Sequence, residues 1–161
     1  MPVIKRVKRI VVELILLSIC ISISTTVVAE ESQLIVAVKR QDWDQLNTVL
    51  KRGDMDINST QADGATALAW AVYWDNEDAV VRLIDAGADP NIANAYGVTP
   101  LHLATKNRNP DITEKLLKGE ADPDIALWSG ETPVMTAAKT GVNEVVSRLI
   151  AYGADVNVQE P

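Results

Sequence analysis

The feature that most constrains this chain is a spacing of 33 residues, which two separate motifs share. The first motif occupies residues 64–68 (GATAL), 97–101 (GVTPL) and 130–134 (GETPV). The second motif occupies residues 87–91 (GADPN), 120–124 (EADPD) and 153–157 (GADVN). Because both motifs recur in a fixed phase, the sequence predicts a stack of similar structural units that share one continuous core.

Within each unit, apolar residues recur at the spacing of two short helices. In the second unit the polar segment 75–78 (DNED) separates two apolar stretches, so it is the predicted turn between the helices. The apolar residues are Leu68, Ala71 and Val72 in the first stretch, and Val80, Leu83 and Ile84 in the second. The sequence therefore predicts two antiparallel helices per unit.

The residues at the helix ends support this assignment. Three threonines precede the first helices, two prolines occupy the early helical position where an N–H is not needed, and two glycines follow the second helices. These residues are Thr66, Thr99 and Thr132, then Pro100 and Pro133, then Gly87 and Gly153.

One unit departs from the pattern where its second helix ends. Glu120 occupies the position that Gly87 and Gly153 hold in the other units. In the left-handed conformation a glutamate costs about 1 kcal/mol that a glycine would not. Gly119, one residue earlier, offers an alternative end for this helix.

The repeated pattern resembles a known family, the ankyrin repeats. Residues 97–104 have the form G-x-T-P-L-H-x-A, and the second helix ends in L-I/L-x-x-G-A-D-x-N. The resemblance covers about residues 32–161 and implies an all-α solenoid of about four helix-turn-helix units, each followed by a projecting finger loop. The implied repeats are about 31–63, 64–96, 97–129 and 130–161. The first is degenerate and carries one extra residue between Gly53 and Asp56.

Residues 1–29 have the composition of a targeting segment and are not expected to belong to the repeat domain, residues 30–161. Four basic residues (Lys5, Arg6, Lys8 and Arg9) precede a charge-free, mostly apolar run at 14–28, and small residues precede a cleavage position after Ala29. This pattern favours a cleaved signal peptide and a periplasmic or secreted protein. An uncleaved anchor in the inner membrane stays open, if Glu13 is tolerated in a span from Ile10 to Val28. A lipoprotein site at Cys20 fits less well, because Ile19 is not small.

The charge that remains after removal of residues 1–29 excludes one class of partner. Residues 30–161 carry 11 Lys+Arg and 21 Asp+Glu, a net charge of −10. Proteins that bind nucleic acid gain most of their affinity from a basic surface, so no nucleic-acid partner is expected. The same segment has no cysteine, because Cys20 is the only one in the sequence.

The sequence offers no set of residues for catalysis, a cofactor or a metal. His102 is the only histidine and has no cysteine or second histidine to act with. The resemblance implies instead that its imidazole hydrogen-bonds backbone in the turn between repeats. A calcium loop that begins at Asp54 lacks the required glycine and glutamate, since Ser59 and Ala65 stand there. The many other carboxylates indicate a solvated surface with local turn bonds, and we expect no enzyme activity.

The aromatic residues indicate where a partner binds. Trp70, Tyr73 and Trp74 share one stripe of a helix, and the resemblance implies that such positions point toward a concave groove. Tyr96 and Trp128 fall in the next two finger loops, so five of the seven aromatic residues are expected on one side. An alternative for Trp70 is packing between first helices.

Two further sets of residues complete this hypothesis. Trp43 is expected in the core of the first unit. Basic residues are expected to form the margin of the groove; they are Lys39, Arg40, Lys106 and Lys139.

Together these features predict a non-enzymatic, exported module that binds a protein or peptide partner through the groove and fingers. Two alternatives stay open: an aromatic-lined site for a small ligand or carbohydrate, and a truncated scaffold that is part of a longer protein. Membrane contact is expected only through residues 1–29, if they are retained.

The fourth repeat stops at Pro161 without a polar capping repeat. Its run of small and apolar residues at 133–138 favours weak self-association of a monomer at high concentration. This expectation places the self-associating surface in the C-terminal repeat.

Overall fold

The computed structural model describes residues 32–158, which form eight helices in four antiparallel pairs. Residues 1–31 and 159–161, and with them the predicted signal peptide or anchor at 1–29, lie outside the described residues. The pairs are α1 (Gln33–Lys39) and α2 (Trp43–Arg52), α3 (Ala67–Tyr73) and α4 (Glu77–Asp85), α5 (Pro100–Asn107) and α6 (Pro110–Lys118), and α7 (Pro133–Thr140) and α8 (Asn143–Ala151). The predicted all-α class and the helix-turn-helix repeat are confirmed.

The helices stack in two layers. The first helices α1, α3, α5 and α7 pack on one another in chain order, and the second helices α4, α6 and α8 do the same. Each first helix also packs on the second helix of its own unit. The buried core runs through all four units, and its largest fully buried side chains include Leu34, Leu68, Leu101, Leu116 and Leu149.

The predicted N-caps are observed in the two middle units. The Thr66 hydroxyl accepts a hydrogen bond from the Ala69 N–H at 3.1 Å, and Asn76 caps α4 through the Ala79 N–H at 2.8 Å. Because Asn76 is this cap, the turn predicted at residues 75–78 is shorter than expected: α4 already begins at Glu77. Acidic side chains in a first helical turn interact favourably with the helix dipole.

The fourth unit lacks both side-chain caps. Thr132 precedes α7 and Val142 precedes α8, and neither side chain accepts a bond from its helix. The Thr132 hydroxyl is buried and has no hydrogen-bond partner among residues 32–158. The fourth unit therefore depends more on contacts with its neighbour than the middle units do.

Glu120 adopts the left-handed conformation that its position requires. Its φ is 68°, beside 90° at Gly87 and 93° at Gly153. Gly119 has a φ of −82° and is the C-cap of α6, so the earlier end that it offered is not used. The chain keeps its 33-residue geometry here and accepts a strained glutamate.

Carboxylate and amide side chains connect the loops that follow the second helices. Each loop donates a backbone N–H to a side chain of the loop 31 residues earlier. The bonds run from Asp89 to Asn58 at 2.8 Å, from Asp122 to Asn91 at 2.7 Å and from Asp155 to Asp124 at 2.8 Å. These acidic residues act as turn and loop acceptors in the structure.

The outward side of α4, α6 and α8, which we call the second-helix face, carries paired charges. Arg148 is its centre: its guanidinium donates to Glu144 and contacts Glu114, each at 2.7 Å, and also donates to the Pro110 carbonyl at 2.7 Å. Lys115 of α6 lies 3.8 Å from Glu77 of α4. These ion pairs connect successive second helices.

The apolar run at 133–138, expected to favour self-association, is largely internal. Pro133, Val134 and Ala137 are buried. They lie on α7, which packs against α5 of the third unit. This run is therefore part of the core, and the prediction that it provides an exposed surface is wrong for these three residues.

Candidate functional site

Three aromatic side chains of α3 and its C-cap, Trp70, Tyr73 and Trp74, form what we call the aromatic cluster. The Trp70 and Tyr73 ring centroids lie 5.4 Å apart with an interplanar angle of 76°. Tyr73 and Trp74 lie 5.0 Å apart at 75°, and Trp70 and Trp74 lie 6.4 Å apart. The edge-to-face arrangement is a favoured one for aromatic pairs, so the cluster is held by its own contacts.

The three rings differ in their exposure to solvent. Tyr73 is 55% exposed and Trp74 is 39% exposed, whereas Trp70 is half-buried and packs against the core. The Trp70 indole N–H donates to the Gln61 side-chain oxygen at 3.3 Å, and the Lys39 Nζ lies 5.3 Å from its ring centroid. Trp70 is thus the fixed base of the cluster, and Tyr73 and Trp74 present the surface.

A cleft of about 160 Å³ opens beside Trp70 and Tyr73, between the first helices and two finger loops. The remaining residues of its wall are Asp63, Ala65, Ala69, Asn94, Val98 and Leu103. We call the aromatic cluster and this cleft together the groove. The cleft is smaller than the roughly 300–1,000 Å³ typical of small-molecule sites, and its size suits one side chain of a larger partner.

Asp63 fixes the finger at the edge of the cleft. Its carboxylate accepts the Ala65 N–H at 2.9 Å and the Gln61 side-chain amide at 2.7 Å. The bond from Ala65, and with it the one from Gln61, lowers the pKa of Asp63, so this group is a carboxylate at neutral pH. The Asp63 carbonyl also accepts the Ala95 N–H at 2.6 Å, which joins this finger to the next.

Tyr96 and Trp128 lie on the next two finger loops and are 69% and 80% exposed. Trp128 rests on Gly97: a Cβ at Gly97 would lie 2.9 Å from the indole Cδ1, and Gly97 has a φ of 78°. Within residues 32–158, neither finger ring contacts a ring of the aromatic cluster. The structure therefore joins three of the five predicted residues and leaves the other two as separate exposed side chains.

Basic residues occupy the positions of the other first helices that match Tyr73. They are Lys39, Lys106 and Lys139, and Arg40 directly follows Lys39. Lys139 lies 3.2 Å from the Glu131 carboxylate, and Lys106 is exposed. The aromatic cluster is thus flanked by cationic side chains, at the positions that the sequence predicted for a basic margin.

His102 is a structural residue in the base of the third finger. It is 4% exposed, its Nδ1 accepts the Thr99 N–H at 3.3 Å, and its Nε2 lies 3.4 Å from the Glu131 carbonyl of the next repeat. Nε2 therefore carries the proton of a neutral ring and donates to that carbonyl. Burial lowers the pKa of His102, which favours the neutral form. This arrangement is the backbone bond between repeats that the resemblance implied.

The described residues offer no metal site, since no group of three or more His, Cys, Asp or Glu side chains is arranged to hold an ion. No helix within residues 32–158 has the length and apolar character needed to cross a membrane. Trp43 begins α2 and is half-buried against the core, so its predicted core position is only partly correct.

Sequence reasoning did not identify the polar wall of the groove. Gln61, Asp63 and Asn94 belong to finger loops, where the sequence pattern shows no apolar periodicity. A signal was nevertheless present, because Gln61 and Asn94 are 33 residues apart and precede successive repeat-opening glycines. Side chains at equivalent finger positions face the same side of the stack, and this could have placed them.

Two overlapping segments of the chain, residues 34–126 and 75–160, match a family model described as "Ankyrin repeats (3 copies)". The matched residues cover all four helix pairs. The comparison with curated proteins found no match.

Proposed function

Because the chain belongs to the ankyrin repeat family, whose members generally mediate protein–protein interactions, we propose that its groove binds a protein partner. The family is typically a non-enzymatic scaffold. Binding here requires exposed side chains held in a fixed arrangement, and no bond-making step. The groove around Trp70, Tyr73 and Trp74 supplies such an arrangement.

The observation that carries this proposal is the exposure of Tyr73 and Trp74 beside a small cleft. Aromatic side chains that pack into a partner contribute a large share of the energy at protein interfaces. Contacts within the cluster already restrict both rings, so little side-chain entropy is lost when they bind. A cleft of about 160 Å³ next to them accepts one apolar side chain of the partner.

The charges around the groove indicate the chemistry of the partner segment. Cationic side chains flank the aromatic cluster on the first helices, although the whole sequence has a net charge of −7. Such complementarity favours an acidic partner segment and a faster association at low salt. We therefore propose a segment with one apolar anchor for the cleft and acidic residues on either side.

The two finger aromatics extend the proposed interface. Tyr96 and Trp128 lie on consecutive fingers and are exposed, so they are placed to contact a partner that continues past the cleft. A partner that touches both the cluster and Trp128 would span three repeats. Substitution of Trp128 is then expected to weaken binding less than substitution of the cluster.

The proposed location is the periplasm or the exterior, with attachment to the inner membrane as the alternative. The basis is the sequence of residues 1–29 alone, with its basic start and apolar run. Cell fractionation, followed by mass measurement of the recovered chain, tests it. A chain that begins after Ala29 supports export with cleavage, an intact chain in the membrane fraction supports an anchor, and an intact chain in the cytosol overturns both.

The experiment for the groove combines crosslinking capture with a measured affinity. Partners are captured with the chain from the envelope fraction, and the Kd of each purified candidate is then measured. The variant Tyr73→Ala/Trp74→Ala is expected to weaken binding by at least about 30-fold, since two hot-spot residues each contribute more than about 1 kcal/mol.

The control variant is Asp78→Ala/Arg82→Ala. It removes an exposed ion pair on the second-helix face, 2.7 Å between the two groups, without leaving either charge alone. Its affinity for the partner should equal that of the parent chain. If the groove variant binds as tightly as the parent, the groove is not the binding surface.

A second candidate function is the stacking of a carbohydrate on the exposed rings. The observation in its favour is that Tyr73 lies beside the polar side chains of Asp63 and Asn94, which could bind sugar hydroxyls. Intrinsic tryptophan fluorescence measured with a panel of sugars tests it. A saturable change that disappears in Tyr73→Ala would favour the carbohydrate, and an unchanged spectrum excludes it for that panel.

A further inference from the structure

The two ends of the repeat stack differ in polarity. Within the stack, certain positions of each repeat are covered by the repeat that follows. Thr113 of the third unit is fully buried and Leu117 is 5% exposed. Their equivalents 33 residues later, Val146 and Ile150, have no following repeat among the described residues, and Ile150 is 50% exposed. Position 84 shows the same contact from the other side, because Ile84 touches Gly119 of the next repeat.

The exposed end of the fourth repeat is apolar at each of these positions. Two of its residues follow the equivalents Pro123 and Ile125, and they are 59% and 36% exposed. We call this set the C-terminal face; it consists of Met135, Ala138, Val146, Ile150, Val156 and Val158. Grouped exposed apolar side chains of this kind mark an interaction surface.

The opposite end of the stack is polar. At positions that are buried in the later repeats, such as Ala79 and Ile112, the first repeat has Gln45, which is exposed. Gln33 replaces the proline at Pro100 in the same way and is also exposed. The first repeat therefore ends the stack with amide side chains, whereas the fourth repeat presents side chains suited to a covered interior.

We propose that the C-terminal face binds the same face of a second copy of this chain and so forms a two-fold symmetric dimer. A head-to-tail contact would bury Gln33 and Gln45 against apolar side chains, and unpaired amides are unfavourable in such surroundings. Pairing of like faces covers apolar side chains on both copies and closes the assembly at two.

The charges at the rim of this face suit one orientation of the dimer. Lys139 is in the last turn of α7 and Glu144 is in the first turn of α8, so the two lie at the same end of an antiparallel helix pair. A two-fold axis parallel to the helices places α7 over α8 of the second copy. Lys139 then lies opposite Glu144 of the second copy, which is a complementary pair.

Sedimentation velocity over micromolar to millimolar concentrations tests the proposal with the purified full chain. The parent chain is expected to shift from monomer to dimer as its concentration rises, and to form no larger species. The variant Ile150→Glu should remain monomeric, because it places a charge in the centre of the face. Its side chain is half exposed in the monomer, so the fold is retained, which circular dichroism verifies.

The matched control is Gln45→Glu on the opposite end, which should dimerise like the parent. Open-ended oligomers that both variants weaken would show head-to-tail stacking and overturn the proposal. A parent chain that is monomeric throughout, or association that persists in Ile150→Glu, would also overturn it. Since the C-terminal face is not part of the groove, Ile150→Glu should bind the groove partner with unchanged affinity, and this separates the two proposals.

Discussion

The first-helix side of the stack, which carries the groove, and the second-helix face use similar residue types in different ways. On the second-helix face, charged side chains pair with each other across repeats, as Arg148 does with Glu114 at 2.7 Å. On the groove side, Tyr73 and Trp74 contact each other and remain largely open to solvent. The difference shows that one side satisfies its own side chains and holds the units together, while the other leaves its largest side chains available.

This comparison gives a rule that experiments can break. Substitutions on the second-helix face should change the free energy of unfolding and leave partner affinity unchanged. Substitutions of exposed groove residues should do the reverse. Residues at the boundary between core and groove should affect both quantities.

Trp70 lies at that boundary, and its substitution has the largest expected effect on stability. It packs against the core and donates to Gln61, so Trp70→Ala should lower the free energy of unfolding by about 2 to 4 kcal/mol, somewhat less than for a fully buried tryptophan. Tyr73→Ala should change it by less than about 0.5 kcal/mol. Urea unfolding of both variants measures the contrast, and equal losses would remove the distinction between base and surface of the cluster.

Arg148 tests the second-helix face. The variant Arg148→Met keeps an unbranched side chain but removes the bonds to Glu144, Asp111 and the Pro110 carbonyl. Because hydrogen bonds to charged groups contribute more than neutral ones, we expect a loss of about 1 to 2 kcal/mol in the free energy of unfolding. Affinity for the groove partner should stay at the parent value. Weaker binding with unchanged stability would reverse the roles assigned to the two sides.

His102 connects the groove side to the core through a pH dependence that can be isolated. Its pKa is lowered in the folded chain, so the unfolded chain takes up the proton first as the pH falls below about 6.5. Stability should therefore be full above that pH and decrease between it and the lower folded pKa. The carboxylates with lowered pKa, such as Glu131, lose their contribution at more acidic pH.

The variant His102→Gln checks this assignment, because His102 is the only histidine in the sequence. The dependence of unfolding free energy on pH between about 7.5 and 5.5 should become nearly flat, and the loss at neutral pH should be about 1 kcal/mol for the bond to Glu131. A variant that keeps the slope of the parent would show that another group titrates in this range.

Glu120 has the smallest expected effect and lies away from the groove. Its left-handed φ of 68° costs about 1 kcal/mol, and the greater flexibility of unfolded glycine offsets about half of that gain. Glu120→Gly should therefore raise the free energy of unfolding by about 0.5 kcal/mol, whereas Glu120→Ala should not raise it. Thermal unfolding of the two variants side by side measures this difference.

Most of the scaffold could be predicted from the sequence because the repeat fixes it. The caps at Thr66 and Thr99, the role of His102 and the left-handed Glu120 all follow from positions within a 33-residue period. Local rules were enough there, since each of these residues acts on backbone a few positions away or on the adjacent repeat.

The groove was predicted less completely, because its members come from different units. Helical spacing placed Tyr73 and Trp74 together but could not show how far Tyr96 and Trp128 stand from them. Nor could it show that Asp63 lines the cleft, since a finger loop has no periodicity to follow. The exposed apolar end of the fourth repeat likewise became visible only when burial at equivalent positions was compared.

The most direct test of the groove as the binding surface is site-specific photo-crosslinking to the partner. A photoreactive amino acid is placed at Lys106 on the groove side in one variant and at Asp78 on the second-helix face in another, both exposed positions. Crosslinking to the captured partner is predicted at position 106 and not at position 78. Crosslinking at position 78 with none at position 106 would contradict the assignment of the groove.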